Sequence, residues 1–139
     1  MHQYLVELRV FGKDLNPSEV TTTLGLSPSE LRHAGEVVGS KQYQYSLWAY
    51  NGGAADDSPP IWESLEDGLT FLLDRIGAGK GALEQYQSKY TVVLWCGHFQ
   101  SAFDGGPSLS PSLLKRLGEF GVELFIDNYF SEDEAASSA

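Results

Sequence analysis

TVVLWCGHF, residues 91–99 of a chain of 139 residues, contains a nearly unbroken apolar run from Val92 to Trp95. A run of this length, rich in β-branched and aromatic residues, indicates a strand that is covered on both faces or lies centrally in a sheet. We therefore expect residues 91–99 to form the core strand, around which the other elements pack.

Three further segments predict strands. Residues 4–11 alternate in polarity, and their apolar side consists of Tyr4, Val6, Leu8 and Val10. This alternation is typical of a strand with one face on a core. Residues 43–50 alternate as well and are rich in aromatic residues, and residues 122–129 supply the last strand. Residues 35–39, bounded by glycines, indicate a short extended piece within a loop.

Proline-led caps mark the starts of helices. Asn16-Pro17-Ser18-Glu19 predicts a short helix that runs to Leu24 and stops at Gly25. The longest helix follows Ser58-Pro59-Pro60 and extends over residues 61–76, where apolar residues recur at spacings of three and four. A weaker helix is expected at residues 82–86, and a further one opens at Ser110-Pro111 and ends at Gly121.

The order of these elements predicts an α+β domain over residues 1–130, followed by a disordered acidic tail over residues 131–139. The sheet is expected to be mixed or mainly antiparallel, with four or five strands and with the helices on one face. A second interpretation is that the chain consists of two ferredoxin-like halves. It rests on the similar sequences of residues 15–20 and residues 109–114, which both lead into a capped helix; we call this similarity the echo. Chance is the alternative, because capped helices often share such starts.

Charge and cysteine content narrow the class of protein. Nineteen acidic against nine basic residues give a formal charge of −10, which disfavours nucleic-acid binding, because that binding needs cations to neutralise phosphates. Cys96 is the only cysteine, so an internal disulfide is excluded and a reducing cytoplasm is expected. No stretch approaches about 18 apolar residues and the start is not basic and then apolar, so we expect neither membrane insertion nor export.

The two residues with the most chemical potential are Cys96 and His98. Their side chains point to the same face of the core strand, but a nucleophilic pair needs hydrogen-bond reach and a third group that orients the base. A metal site needs further ligands, and His2 and His33 lie in segments that we expect to be exposed. We therefore predict a small hydrophobic thiol beside a partly buried histidine, and no catalytic residues, metal or cofactor.

Five carboxylates before and within the longest predicted helix form the expected binding surface for a partner. They are Asp56, Asp57, Glu63, Glu66 and Asp67. Because a strongly acidic surface attracts a cationic protein, we expect them to contact a basic protein such as a toxin. The competing interpretation is an ordinary solvated helix face.

Aromatic residues occupy both sides of the predicted strand at residues 43–50. One side must face the core, and the other is a ligand platform, an interface anchor or a surface covered by another element. This leaves a rival function, a small-molecule sensor or minor enzyme with a pocket at the sheet face. Its predicted ligand-binding residues are Trp48, Trp95 and His98.

An ordered set of short motifs resembles a bacterial family. The motifs are Leu15-Asn16-Pro17 with Val20, Leu24-Gly25-Leu26 with Pro28, Gly35-Glu36, Trp48 in an aromatic strand, a long amphipathic helix, and the closing Val122-Glu123-Leu124-Phe125-Ile126-Asp127-Asn128-Tyr129. Over most of residues 4–129 the chain resembles the domain of unknown function 4279, with Asn128 as a departure, since an apolar residue is expected there. The resemblance implies an immunity-type role, in which a small acidic protein neutralises a toxin, and it supplies no catalytic residues.

These observations favour a non-enzymatic protein-binding module. We expect an immunity-like or antitoxin-like protein whose acidic surface covers the basic active site of a toxin, by electrostatic steering followed by blockade.

Overall fold

A computed structural model of the chain describes residues 1–131. Most of the acidic tail predicted at residues 131–139 therefore lies outside the described residues. The strands are β1 (His2–Gly12), β2 (Glu30–Arg32), β3 (Val37–Val38), β4 (Lys41–Gln42), β5 (Ser46–Tyr50), β6 (Thr91–Gln100) and β7 (Glu123–Phe130). The helices are α1 (Pro17–Leu24), α2 (Leu65–Ile76), α3 (Lys80–Gln87) and α4 (Pro111–Phe120). Within residues 1–131, no helix is both long and apolar enough to span a bilayer.

Five strands form one mixed sheet in the order β2-β5-β1-β6-β7, and β3 and β4 form a separate two-stranded hairpin. β1 is antiparallel to both of its neighbours, β5 and β6, whereas β6 and β7 run parallel. This arrangement confirms the α+β class and the mixed sheet. The strand predicted to be the core strand, β6, lies beside the central strand, which is β1.

The hydrophobic core lies on one face of the sheet, under the helices. Even-numbered residues in the middle of β1 and β6, such as Leu8 and Leu94, are buried there, and buried aliphatic or aromatic residues of all four helices belong to the same cluster. Each such leucine contributes roughly 1.5–3 kcal/mol of burial free energy. The helices therefore lie on one face, as the amphipathic patterns predict.

We call the opposite side of the sheet the open face. It carries the odd-numbered residues of β1, β5, β6 and β7 together with Glu30 and Arg32 of β2. Within residues 1–131 no helix packs on it, and most of its side chains are half-buried or exposed. Any partner that binds the sheet directly has access to it from this side.

Local caps explain where the helices begin and end. α1 has the predicted bounds, because the Asn16 side chain accepts a hydrogen bond from the Ser18 amide and Gly25 adopts a left-handed φ of 67°. α2 begins at Leu65 and not at residue 61, because Ser64 caps it by accepting from the Asp67 amide. The preceding Trp62 instead pairs through its backbone with Tyr4 of β1.

The region between α1 and β5 differs from the sequence-based prediction. β2 pairs with β5 and extends the sheet by one strand, although three residues give no measurable periodicity. β5 begins at Ser46, so Tyr43 and Tyr45 precede it instead of belonging to it. The extended piece predicted at residues 35–39 is present as β3, in the hairpin with β4.

The two segments that echo each other in sequence differ in their pairing. The strand that follows α4 is parallel to the strand before that helix, since β7 pairs with β6. The strand that follows α1, β2, runs in the same direction as β1 but is separated from it by β5. The two segments therefore differ in whether the strands before and after the helix pair directly.

Candidate functional site

His98 forms the centre of a hydrogen-bonded network at one end of the sheet. Its Nδ1 atom lies 2.8 Å from Oδ1 of Asn128, and its Nε2 atom lies 2.8 Å from Nδ1 of His2. The other nitrogen of His2 lies 2.7 Å from the carbonyl oxygen of Asp104, and the ring of Tyr4 stacks on His98 at 4.8 Å. Both ring nitrogens of His98 therefore have partners, and neither of them is Cys96.

Cys96 is completely buried among the helix-side residues of β6. Burial raises the pKa of its thiol from 9.0 to about 12, because the interior disfavours the thiolate. A thiol that stays protonated and has no access to solvent is an unreactive one. This position agrees with the expectation of a small hydrophobic thiol, whereas His98, expected to be partly buried, is only 4% exposed.

The predicted ligand pocket of Trp48, Trp95 and His98 is not formed. Trp48 is fully buried under the helices and donates its indole N–H to Thr21 of α1. His98 lies on the same helix-covered side, whereas Trp95 lies on the open face. Because neighbouring residues of a strand point to opposite faces, the even-numbered Trp48 and His98 cannot share a surface with Trp95 in this register.

The five predicted partner-binding carboxylates occupy two neighbouring segments. Asp56 and Asp57 are exposed in the loop before α2, and Glu63 and Asp67 are exposed at the start of that helix. Glu66 is engaged inside the protein, since its carboxylate accepts a hydrogen bond of 2.6 Å from the backbone amide of Ser110, the N-cap residue of α4. Glu66 thus joins α2 to α4, which is a structural role.

Of these carboxylates, Asp57 reaches the open face. It lines a hollow of about 270 Å³ together with Glu7, Glu30 and Trp95. The sequence placed Asp57 next to α2, but the loop carries it back to β1 and β2. The acidic surface is therefore shared between the loop and the strands of the open face.

Near β7 the open face combines exposed aromatic rings with carboxylates. Register places Trp95 beside Phe125, Gly97 beside Asp127, and Phe99 beside Tyr129. We call this surface the edge patch, and its residues are Trp95, Phe99, Glu123, Phe125, Asp127 and Tyr129. Half of the surface of Phe125 (51%) is exposed. β7 is also the last strand of the sheet, so its outer edge has no neighbouring strand within residues 1–131.

Asp127 lies between Ile126 and Asn128 on β7. It is half-buried on the open face and accepts a hydrogen bond of 2.7 Å from the hydroxyl of Tyr129. This hydrogen bond is the main reason that the pKa of Tyr129 is raised above 10.0. Neither Asp127 nor Glu123 has a basic side chain within salt-bridge distance in residues 1–131.

Arg9 occupies the middle of the open face. Its Nε atom donates to Glu7 at 2.5 Å, and its Cζ atom lies 4.1 Å from the centre of the Trp95 ring. Arg9 and Phe125 were absent from the predicted site. The sequence did contain an indication of this surface, because Glu7 and Arg9 alternate with apolar residues along β1 and so mark its polar side.

The residues that form the sheet and its open face match a known protein family. A family model described as a domain of unknown function (DUF4279) matches residues 2–131. The chain belongs to this family. The DUF4279 match includes every strand of the sheet, and hence the whole edge patch. No curated protein and no solved structure matches the chain.

Proposed function

We propose that this DUF4279 domain is a non-enzymatic, cytoplasmic protein-binding module, of an immunity or antitoxin type, that holds a basic protein such as a toxin on its edge patch. The observation that carries the proposal is the placement of the exposed ring of Phe125 between Glu123 and Asp127 on one side of β7. Residues two apart on a strand share a face, so the ring and both carboxylates face a partner together.

Exposed aromatic groups favour this location. Exposed apolar patches mark interaction sites, and aromatic residues are enriched where binding energy concentrates. Phe125 and Tyr129 are 51% and 43% exposed, and the ring of Tyr129 stacks on that of Phe99 at 4.9 Å on the same face. A flat group of a partner has several rings to contact along this edge.

Charge favours a basic partner. A chain with a formal charge of −10 attracts cations over long range and accelerates their association. At short range, the carboxylates of Glu123 and Asp127 border a hollow of about 300 Å³ whose floor includes Val93 and Trp95. Arg9 also lines this hollow but is paired with Glu7, so the two carboxylates keep their charge for a partner. A lysine or arginine of the partner would lay its apolar stem on this floor and its charge between the carboxylates.

The test is co-expression of the chain with each basic protein encoded beside it. We expect one of these proteins to be toxic alone and to be neutralised by the chain, with a complex that purifies at one-to-one stoichiometry. The variant with both Glu123→Lys and Asp127→Lys should lose the complex, because it places like charges opposite the partner. Glu84→Lys, an exposed position of α3, is the matched control and should retain it.

Two results would contradict the proposal. One is that no neighbouring basic protein binds or is neutralised. The other is that the edge-patch variant protects and co-purifies as well as the Glu84→Lys control.

A further inference from the structure

A second surface of the open face lies at the end opposite to β7, where the β3–β4 hairpin approaches β1, β2 and β5. It encloses a cavity of about 380 Å³, which we call the hairpin cavity. Its charged, aromatic and aliphatic lining includes Arg9, Arg32, Lys41, Tyr43, Tyr45 and Leu47. This volume is within the range of small-molecule sites in proteins, roughly 300–1,000 Å³.

The charge of the hairpin cavity is opposite to that of the chain. Three of the nine basic residues, Arg9, Arg32 and Lys41, line it, whereas Glu30 is the single one of the nineteen acidic residues that does so. The lining has an excess of two positive charges, which becomes one when Glu7, the salt-bridge partner of Arg9, is counted with it, within a chain of formal charge −10. A local excess of this kind concentrates anions in a protein that otherwise repels them.

Both arginines are held in place before any ligand arrives. Arg32 binds Glu30 through Nε and Nη2, and its Cζ atom lies 5.0 Å from the ring centre of Tyr43. Arg9 is held in the same way by Glu7 and by the ring of Trp95. A carboxylate on the Nε side and a ring on the planar face fix each guanidinium, which reduces the entropy lost on binding.

Donors remain on these guanidinium groups after the internal contacts are made. A guanidinium has five N–H donors, and the contacts with the two glutamates are made at Nε of Arg9 and at Nε and Nη2 of Arg32. Paired N–H groups at the end of a guanidinium match the two oxygens of a carboxylate. The cavity thus offers donors to an anionic group.

The remainder of the lining is apolar and aromatic. Register places Leu47 between Phe11 of β1 and Arg32 of β2, so an apolar side chain separates the two arginine-bearing strands. Tyr45 is 58% exposed at the cavity, and Tyr43 is already in contact with Arg32. A flat ring would pack between these side chains.

We propose that the hairpin cavity binds a small aromatic carboxylate, with its carboxyl group on Arg9 and Arg32 and its ring against Tyr45 and Leu47. This site adjoins the protein-binding surface proposed above, since Arg9 lines both the hairpin cavity and the hollow at Glu123 and Asp127, but it takes a different class of ligand. It makes the chain sensitive to a metabolite of that chemical class.

The probe is naphthalene-2-carboxylate, titrated into the full chain by calorimetry and by NMR, with the neutral naphthalene-2-carboxamide as its matched control. We expect the carboxylate to bind with a Kd below about 1 mM, as a probe of this size would at ordinary ligand efficiency. The carboxamide should bind at least about tenfold more weakly, because it lacks the charge-assisted hydrogen bonds. Backbone shifts should centre on Arg32, Tyr43 and Tyr45.

Two arginine variants distinguish binding at the hairpin cavity from non-specific binding of anions elsewhere on the protein. Arg32→Gln should weaken naphthalene-2-carboxylate roughly tenfold, whereas Arg116→Gln, an exposed arginine of α4 paired with Asp74, should not change it. Tyr45→Ser should weaken the binding of both probes without changing the unfolding midpoint, since Tyr45 is exposed and outside the strands. Equal affinity for the two probes, equal affinity in Arg32→Gln and wild type, or no binding at all would overturn the proposal.

Discussion

The Nδ1 atom of buried His98 lies 2.8 Å from Oδ1 of Asn128, across the parallel pair formed by β6 and β7. The imidazole N–H donates to the side-chain oxygen, and the two residues stand opposite each other in the register. Asn128 occupies the helix-side position of β7 at which alternation favours an apolar residue. Its role is to supply an acceptor to a histidine that is only 4% exposed.

Asn128→Leu is therefore expected to destabilise the protein, although it improves the apolar pattern of β7. It leaves a donor of His98 without a partner, at a cost of about 1 kcal/mol, because Asn128 is exposed and water replaces part of the lost bond. Urea unfolding measures the change. Asn128→Asp keeps an oxygen acceptor and should lose less, and a leucine variant that is as stable as wild type would contradict this role.

Features that depend on neighbouring residues are predicted well from the sequence, whereas features that depend on distant residues are not. α1 was predicted with its exact ends because Asn16, Pro17 and Gly25 act within a few residues of the helix. The partner of Asn128 is 30 residues away, and no local pattern connects the two. β2 was missed for the same reason, since three residues become a strand only when β5 pairs with them.

The candidate site depended on register even more strongly. Alternation correctly separates the two sides of each strand, but it does not say which side of β5 matches which side of β6. Trp48 and Trp95 were therefore grouped in one pocket, although pairing through β1 places them on opposite faces of the sheet. The open face and the hairpin cavity appear only after the five strands have been ordered.

We expect the Glu66 carboxylate to contribute more to stability than the exposed Glu63 carboxylate. Glu66→Ala removes the acceptor of the Ser110 amide and should lower the free energy of unfolding by about 1 kcal/mol, a value reduced for the half-buried position. Glu63→Ala, at an exposed position three residues earlier, is the control and should change it by less than about 0.5 kcal/mol. Chemical denaturation measures both, and equal effects would refute the link between α2 and α4.

Cys96 makes a prediction about alkaline pH. Its pKa is about 12 in the folded protein and 9.0 in the unfolded reference, so the folded state holds the proton more tightly. The stability that this difference contributes is fully present below pH 9 and declines as the pH rises from 9.0 towards about 12.

The measurement compares the wild type with Cys96→Ala, in which no thiol ionises. Between pH 8 and pH 10 the unfolding free energy of the wild type should fall by about 1.4 kcal/mol relative to the variant. Tyrosines titrate in the same range, but they are common to both proteins and cancel. Parallel pH profiles would show that the thiol is not protected, as would rapid reaction of the folded protein with a thiol reagent at pH 8.

Gly97 keeps the edge patch flat. A Cβ atom at this position would lie 2.7 Å from the Cη2 atom of Trp95 and 3.0 Å from the ring of Phe99, so the Trp95 ring lies over the glycine. Gly97→Ala should displace that ring and change the near-ultraviolet circular dichroism of tryptophan, with a net cost of about 1 kcal/mol or less, because the gain of alanine in a strand offsets part of the clash. Gly118→Ala on α4 is the matched control, because its Cβ has open space and a helix interior favours alanine by about 0.5–1 kcal/mol. The two substitutions add the same methyl group, and only Gly97→Ala is expected to change the tryptophan signal, because only Gly97 has an aromatic ring above it. If Gly97→Ala leaves both the stability and the tryptophan signal unchanged, Trp95 does not lie flat on the open face, and the floor of the proposed binding surface is lost with it.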